Sequence, residues 1–183
     1  ILEYEFHVDP KMNSGVQIRS NHRENDGVVW GYQIEIDPSD RAWTAGIYEE
    51  SGRGWLNPLK DNPAAQKAFK QDEWNHVRIE AIGDSLKTFL NGVPAADLKD
   101  DRTASGFIGL QVHNTGSETP LLVKWRNRRI QDLGVPANAP ELPAPGSRKL
   151  GYDAWTQGDG GCLKWAWDSA SEVLTTAPKT GGI

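Results

Sequence analysis

Short segments in which apolar and polar residues alternate recur along this chain, and they limit the folds that it can adopt. In GYQIEID, residues 31–37, one Tyr and two Ile fall on one side of an extended strand, and Gln33, Glu35 and Asp37 fall on the other. This segment is part of residues 28–37, and the same alternation recurs in residues 1–8, 15–20, 74–82, 85–90, 107–114 and 121–130. Each of these segments is therefore predicted to be a β-strand with one apolar and one polar face.

The connections between these strands indicate the fold class. Turn signals such as Asn91-Gly92 join neighbouring strands, and no strong helical periodicity separates them. This arrangement is typical of an antiparallel sandwich or a jelly roll. Residues 38–73 are less regular, with a short strand predicted over residues 45–49, a loop around Trp55 and a helical turn at residues 63–69. Long excursions of this kind on a β scaffold tend to shape binding sites.

The domain boundaries follow from a change in composition. Residues 1–133 hold the predicted strands and form the main part of one domain. Residues 134–147 are rich in Pro and Ala, which indicates an extended linker. Residues 148–183 are too few to bury a core of their own. We expect them to complete the same fold, within the chain or by exchange between chains, or to begin a second copy.

Composition excludes several classes of partner. The net charge is −5 with acidic and basic residues interspersed, so no basic surface for nucleic acid or anionic lipid is predicted. No apolar run is long enough to span a bilayer, and the single cysteine, Cys162, excludes an intrachain disulfide framework. Eight tryptophans are many for 183 residues, and Trp beyond what a core needs often stacks on sugars. Trp55 is the best candidate for this role, whereas Trp74 and Trp125 are expected in the core.

Parity along the strands predicts a shared polar face made of Gln17, Arg19, Gln33, Glu35, Asp37, Gln111 and His113. One β-bulge would turn part of this set to the other side of its sheet. A face rich in carboxylates, amides and basic groups can bind a polar ligand, although a solvated outer face has the same composition. Two of these residues could also have a purely structural role. In that case His113 would be a hydrogen-bonded histidine without a catalytic role, and Arg19 would form an ion pair with Glu35.

Six segments, taken together and in order, resemble the family of 3-keto-disaccharide hydrolase domains, formerly known only as a domain of unknown function. They are NSGVQIRS at 13–20, GYQIEIDPSDRAWTAGIYEE at 31–50, RGWL at 53–56, EWNHVRIEAIGDSLKTFLNG at 73–92, SGFIGLQVHN at 105–114 and WRNRRIQDL at 125–133. The resemblance implies an all-β fold, a concanavalin A-like jelly-roll sandwich of two antiparallel sheets.

The order of one further segment differs from that of the family. A segment similar to residues 152–183 normally precedes the strand that is similar to ILEYEF, whereas here it lies at the C-terminal end. A circular permutation and a second tandem copy are the two explanations. Because the two parts sum to about one domain's length, we favour a segment that completes the fold.

The resemblance implies cleavage of 3-keto-glycosides, 3-keto-disaccharides among them, by base-assisted elimination and hydration or by hydrolysis. A 3-keto group activates the hydrogen at C2, so the chemistry needs a base, a stabiliser for the enolate oxygen and a donor for the leaving group. We predict Glu35 or His113 as the base and Asp37 as the acid partner or as an orienting group. The predicted substrate-binding residues are Arg19, as the clamp of the enolate or of a hydroxyl, and Gln17, Gln33, Gln111, Tyr48 and Trp55.

Two other functions fit the same residues. A non-catalytic, lectin-like carbohydrate-binding module would rely on aromatic platforms and hydrogen bonds. The segment Glu35-Ile-Asp37-Pro-Ser-Asp40 resembles the E-x-D-x-x-E strand of retaining β-glucanases with this architecture. However, Asp40 is shorter than the expected Glu, and Pro38 interrupts the strand.

We expect no cofactor and no required metal, although the Asp- and Asn-rich loops contain oxygen ligands of the kind that Ca²⁺ uses. The expected partner is a carbohydrate substrate, with self-association through residues 148–183 as a further expectation. The resemblance and the Trp content indicate a periplasmic or extracellular protein whose signal peptide is not in the chain.

Overall fold

A computed structural model describes residues 1–114, 120–134, 146–149, 164–168, 170–171 and 173–177. The strands are β1 (Leu2–Val8), β2 (Ser14–His22), β3 (Val29–Ile36), β4 (Ile47–Glu50), β5 (Gly54–Asn57), β6 (Asn75–Ile82), β7 (Ser85–Leu90), β8 (Val93–Lys99), β9 (Phe107–Val112), β10 (Val123–Asp132), β11 (Gly146–Lys149), β12 (Lys164–Asp168) and β13 (Val173–Ala177). A short helix, α1 (Pro63–Ala68), precedes β6. In this part of the chain, no helix has the length and the apolar character that crossing a membrane requires.

Two antiparallel sheets form the predicted jelly-roll sandwich, and the predicted fold class is confirmed. The first sheet has the strand order β12-β13-β10-β1-β6-β7-β8, with β11 also paired to β10. The second sheet has the order β5-β4-β3-β2-β9. Each sheet turns one face to the core and the other outward.

The apolar faces predicted from the alternation form the core. On β1, the alternate residues Leu2, Tyr4, Phe6 and Val8 are at most 6% exposed. Strands of the second sheet contribute Val16, Ile18, Tyr32, Ile34, Ile36 and Ile47 to the same cluster. Burying one large apolar side chain stabilises the fold by about 1.5–3 kcal/mol, so the alternation fixes which face of each strand turns inward.

The two strand tryptophans differ in location. Trp125 is fully buried in the core, as predicted. Trp74 is half-buried just before β6, and its predicted core position is wrong. Because the next residue, Asn75, is buried, the alternation turns Trp74 outward. The Arg126 guanidinium lies 4.0 Å from the centre of the Trp74 ring.

The segment between β3 and β6 contains a strand that was not predicted. Gly54–Asn57 forms β5 and pairs with β4 at the edge of the second sheet, where a loop around Trp55 was expected. The short strand predicted over residues 45–49 lies at Ile47–Glu50. Ser51 has φ +51° in the turn that joins the two strands. Trp55 is therefore held on a sheet.

Strands from the C-terminal part of the chain join the first sheet. β13 pairs with β10, where Leu174 lies opposite Trp125, and β12 pairs with β13. β11 pairs with the other half of β10. The assignment of residues 148–183 to the same fold, to an exchange or to a second copy stays a prediction. Most of the linker predicted at residues 134–147 lies outside the described residues.

Candidate active site

Polar side chains converge on the outer side of β4, β3, β2 and β9, which we call the site face. Gln33 lies opposite Tyr48 on β4 and opposite Gln17 on β2. Glu35 lies opposite Gly15. Residues that lie opposite each other in an antiparallel ladder project to the same side of the sheet. The register therefore brings the predicted Gln17, Gln33, Glu35 and Tyr48 together.

A chain of hydrogen bonds, which we call the amide chain, runs along the site face and ends on Glu35. The Ser20 hydroxyl donates to Gln17 Oε1 at 2.8 Å, and Gln17 Nε2 donates to Gln33 Oε1 at 2.7 Å. Gln33 Nε2 then donates to Glu35 Oε2 at 2.9 Å. All four side chains are buried. Because every donor points toward the carboxylate, the bonds polarise one another and orient both amides.

The Glu35 carboxylate combines burial with hydrogen-bond donors on both oxygens. Asn13 Nδ2 donates to Oε1 at 2.6 Å, while Gln33 holds Oε2. Burial raises the pKa of Glu35, and the two donors lower it only in part. The charge of Asp37 raises this pKa further, and the charge of Arg41 lowers it. A carboxylate with a raised pKa accepts a proton more readily, which suits a general base.

Gly15 makes room for the amide chain. A Cβ atom at this position would lie 2.6 Å from Gln33 Cγ, which is closer than real contacts allow. Glycine therefore lets the Gln33 side chain lie across β2, where it reaches both Gln17 and Glu35.

Asp37 organises the loop that follows β3. Its Oδ1 accepts from the Ser39 N–H at 3.2 Å and from the Ser39 hydroxyl at 2.6 Å. Its Oδ2 accepts from Arg41 Nε at 2.7 Å and from the Trp43 N–H at 3.4 Å. These bonds occupy both carboxylate oxygens. The geometry therefore fits the orienting role predicted for Asp37 better than the role of acid partner.

The same loop places a cation against an aromatic wall formed by Trp43, Tyr48 and Trp55. The ring centres of Trp43 and Trp55 are 4.8 Å apart, and those of Tyr48 and Trp55 are 5.4 Å apart. The Arg41 guanidinium lies 4.8 Å from the Trp43 ring centre and 5.0 Å from that of Trp55. The three rings are half-buried, and the Arg41 side chain is 42% exposed. The wall therefore offers apolar ring surface and a positive charge to a ligand.

β9 and the residue after it carry two more of the residues predicted for the face. Gln111 lies opposite Gly15, and its buried Oε1 accepts no hydrogen bond from the described residues. His113 is exposed just beyond the end of β9, and its Nδ1 donates to the Asn114 carbonyl at 2.7 Å. Of the two residues predicted as the base, Glu35 therefore has the geometry that supports the role.

Arg19 does not lie on the site face, and its predicted place there is wrong. The register of β2 shifts just after Ile18, and Arg19 has φ +48°, which marks a β-bulge. The bulge brings the Ser20 side chain to the face in place of Arg19. Arg19 Nη1 instead donates to the Gly83 carbonyl at 2.7 Å, in the turn between β6 and β7. The ion pair expected between Arg19 and Glu35 is not formed.

Four residues of the site were not predicted, namely Asn13, Ser20, Arg41 and Trp43. Asn13 precedes β2, Ser20 follows the bulge, and the other two lie in an irregular loop, so parity along a strand could not locate them. Two signals in the sequence pointed to the loop pair. Asp37 and Arg41 are opposite charges four residues apart, and Trp43 belongs to the surplus of tryptophan.

Neither a metal centre nor a retaining carboxylate pair is evident in the described residues. In residues 1–114, 120–134 and the short C-terminal strands, no three His, Cys, Asp or Glu side chains are grouped to hold a metal ion. The expectation that no metal is required stays a prediction. Asp40 is exposed in the turn after β3, which ends at Ile36. The β-glucanase interpretation therefore lacks its second outer carboxylate on the strand of Glu35.

Comparison with known proteins gives one family. The sequence matches the 3-keto-alpha-glucoside-1,2-lyase-like domain family over residues 1–131, which include the whole site face. A solved structure of a candidate glycosyl hydrolase from Parabacteroides distasonis ATCC 8503 is 20% identical, with a TM-score of 0.46, over 69% of this chain and 74% of that chain. No curated protein matches the sequence.

Proposed function

Since the chain belongs to the 3-keto-alpha-glucoside-1,2-lyase-like domain family, we propose that it cleaves 3-keto-glycosides by elimination, with Glu35 as the base. The family indicates an enzyme that acts on glycosides. The proposal has two specific parts. One is the substrate, a 3-keto-glycoside such as a 3-keto-disaccharide, and the other is the elimination step. They are supported by the chemistry that the site face can carry out.

The reaction begins at C2 of the sugar. The keto group at C3 acidifies the C2 hydrogen, because the electron pair left behind is delocalised onto the C3 oxygen as an enolate. Glu35 takes the proton, the electron pair then forms the C1–C2 double bond, and the bond between C1 and the glycosidic oxygen breaks. The glycosidic oxygen takes up a proton and leaves as an alcohol. Addition of water across the double bond completes a net hydrolysis.

The observation that carries the proposal is the environment of Glu35. Its side chain is only 5% exposed, its pKa is raised by burial, and donors hold both of its oxygens. A carboxylate keeps further lone pairs for the incoming proton when each oxygen accepts one bond. A base that is fixed in this way contributes about 10²–10⁴-fold to the rate.

Arg41 is the residue that we assign to the enolate oxygen, in place of Arg19. Its Nε is bound to Asp37, and its Nη groups donate no hydrogen bond to the described residues. A guanidinium that is already in place stabilises the negative charge that develops on the C3 oxygen. The aromatic wall beside Arg41 offers ring surface on which a sugar can stack.

The proposal is tested by incubating the purified protein with a 3-keto-disaccharide and with its unoxidised parent, and by following the release of free sugar. We expect release from the keto substrate only. Glu35→Gln should lower the rate by about 100-fold or more, because the base is removed. Asp40→Asn, which alters an exposed carboxylate in the nearby turn, is the matched control and should retain the rate.

Two results would contradict the proposal. Binding of either sugar without release would favour the non-catalytic, lectin-like module. Equal release from the unoxidised parent would show that the keto group is not needed, and Glu35 would then have a different role.

A further inference from the structure

Two stacked rings lie on the site face at its β9 edge, and the proposed mechanism does not use them. Phe107 lies opposite Ser20, whose hydroxyl is on the site face because it donates to Gln17. The His22 ring stacks on Phe107, with ring centres 4.7 Å apart and planes 23° apart. Phe107 is half-buried and His22 is exposed, so a ligand can reach both. We call this pair the ring platform.

A glycine on β9 lets the Phe107 ring lie close to the site face. Gly109 lies opposite Gln17, and a Cβ atom at Gly109 would be 3.2 Å from Phe107 Cε2. The Phe107 ring therefore leans over position 109.

The location of Arg41 decides which part of the substrate reaches the platform. C1 and C3 are the two ring neighbours of C2, the carbon that Glu35 deprotonates. Arg41 contacts Trp55 on β5, so the C3 oxygen is stabilised on the β5 side of Glu35. The C1 oxygen then points the other way, toward β2 and β9. β9 is two strands from β3, about 10 Å at the usual strand spacing, which leaves room for a neighbouring ring.

We propose that Phe107, backed by His22, forms a leaving-group subsite that makes the enzyme prefer cyclic leaving groups to small alkyl ones. A second sugar or another cyclic alcohol would stack on Phe107. The inference rests on the proposed function, because it takes Glu35 as the base at C2. It adds the residues that select the group on the other side of the broken bond.

The test compares the binding of a 3-keto-disaccharide with that of methyl 3-keto-glucoside. Both dissociation constants are measured on Glu35→Gln protein, so that the ligands are not consumed. Adding Phe107→Ala should weaken the binding of the disaccharide about three- to tenfold relative to that of the methyl glycoside, as expected when one ring contact is lost. Phe89→Ala is the matched control, because Phe89 is a half-buried ring on the outer side of the first sheet. It should leave the ratio of the two constants unchanged.

A second variant displaces the ring without removing it. In Gly109→Leu the new side chain would push the Phe107 ring away, because even its Cβ atom would lie 3.2 Å from Phe107 Cε2. Residue 109 does not have the left-handed backbone that would oppose a side chain. We expect Gly109→Leu, like Phe107→Ala, to weaken the binding of the disaccharide relative to that of the methyl glycoside. A ratio unchanged by both Phe107→Ala and Gly109→Leu would overturn the subsite. The two proposals can fail separately, because binding is measured apart from turnover. Unaltered protein that binds the 3-keto-disaccharide but releases no sugar would contradict the proposed function. The ratio of the two dissociation constants would still decide whether the subsite exists.

Discussion

Among single residues, Glu35 has the surroundings that matter most for the chemistry. Its pKa is raised by burial, so the native protein holds the Glu35 proton more strongly than the unfolded chain does. By linkage, ionising this carboxyl lowers the free energy of unfolding. The site therefore keeps a reactive base at some cost in stability, as active sites commonly do.

The pH dependence of activity tests the assignment of the base. Because Glu35 must be ionised to act, kcat/KM should fall as pH falls through its raised pKa, with a midpoint above the ordinary glutamate value. Asp37→Asn should move the midpoint down and Arg41→Ala should move it up, since the first charge raises this pKa and the second lowers it. Profiles of kcat/KM against pH measure all three midpoints. A midpoint that neither variant moves would assign the titration to another group.

The stability of Glu35→Gln tests the raised pKa without any substrate. Between the unfolded and the folded pKa of Glu35, the native state binds more protons than the unfolded state, so the stability of the unaltered protein falls as pH rises. Glutamine has no proton to lose. The stability of Glu35→Gln relative to the unaltered protein should therefore increase with pH across this interval. Urea unfolding at a series of pH values measures it, and parallel stability curves would contradict the expectation.

At the scale of elements, most of the strands could be predicted and the irregular backbone could not. Alternation is a local property of the sequence, and it located Gln33 and Glu35 on the polar side of their strand. The bulge that replaces Arg19 with Ser20 on the site face depends on how β2 pairs with β3 and β9 at once. The position of Arg41 depends on bonds to Asp37 across an irregular loop. Neither dependence is visible in a period-2 pattern.

A charged cluster ties the residues after β8 to the second sheet. Asp100 accepts from the Tyr32 hydroxyl and from two nitrogens of Arg53, at 2.7 and 3.0 Å. Arg53 also donates to Glu49. Burial and the Asp100 bond raise the pKa of Tyr32 to about 12. The hydrogen bonds from Arg53 are the main cause that lowers the pKa of Asp100.

Acid unfolding should therefore depend on this cluster. The contribution of Asp100 is present above its unfolded pKa of about 3.9 and is lost as pH falls through the lower folded pKa. Asp100→Asn should be less stable than the unaltered protein at neutral pH, and the difference should shrink in acid. Urea unfolding across this pH range measures it, with Asp61→Asn, whose side chain is 88% exposed, as the control. If the stability difference between Asp100→Asn and the unaltered protein does not vary with pH, the charge of Asp100 is not what stabilises the cluster.

At the scale of the whole molecule, the two sheets have different tasks. The second sheet carries the site face, and the first sheet accepts the strands from the C-terminal part of the chain. The two-sheet architecture could be predicted, because most strands have one apolar side that needs a partner layer. The pairing of β13 with β10 could not, since it joins residues that are far apart in the sequence and depends on their contacts in space.

A proline in β13 tests whether the C-terminal strands complete the fold. Thr175 lies opposite Lys124 on β10 and opposite Ala166 on β12, so a proline there removes a ladder hydrogen bond between two neighbours. We expect Thr175→Pro to lower the free energy of unfolding by about 1–3 kcal/mol. Thr175→Val keeps the backbone donor and a β-branched side chain, and serves as the control. Equal unfolding of both variants in urea would indicate that β12 and β13 are peripheral.

The removal of the C2 proton is the central step of the proposed reaction, and cleavage in D₂O tests it most directly. The released sugar is analysed for deuterium at C2 at early times, against a control of the same free sugar without enzyme. Elimination followed by hydration replaces the C2 hydrogen with solvent deuterium, so we predict labelled product from the unaltered protein and none above the control from Glu35→Gln. Sugar released with its original C2 hydrogen would show direct hydrolysis and would contradict the proposed role of Glu35.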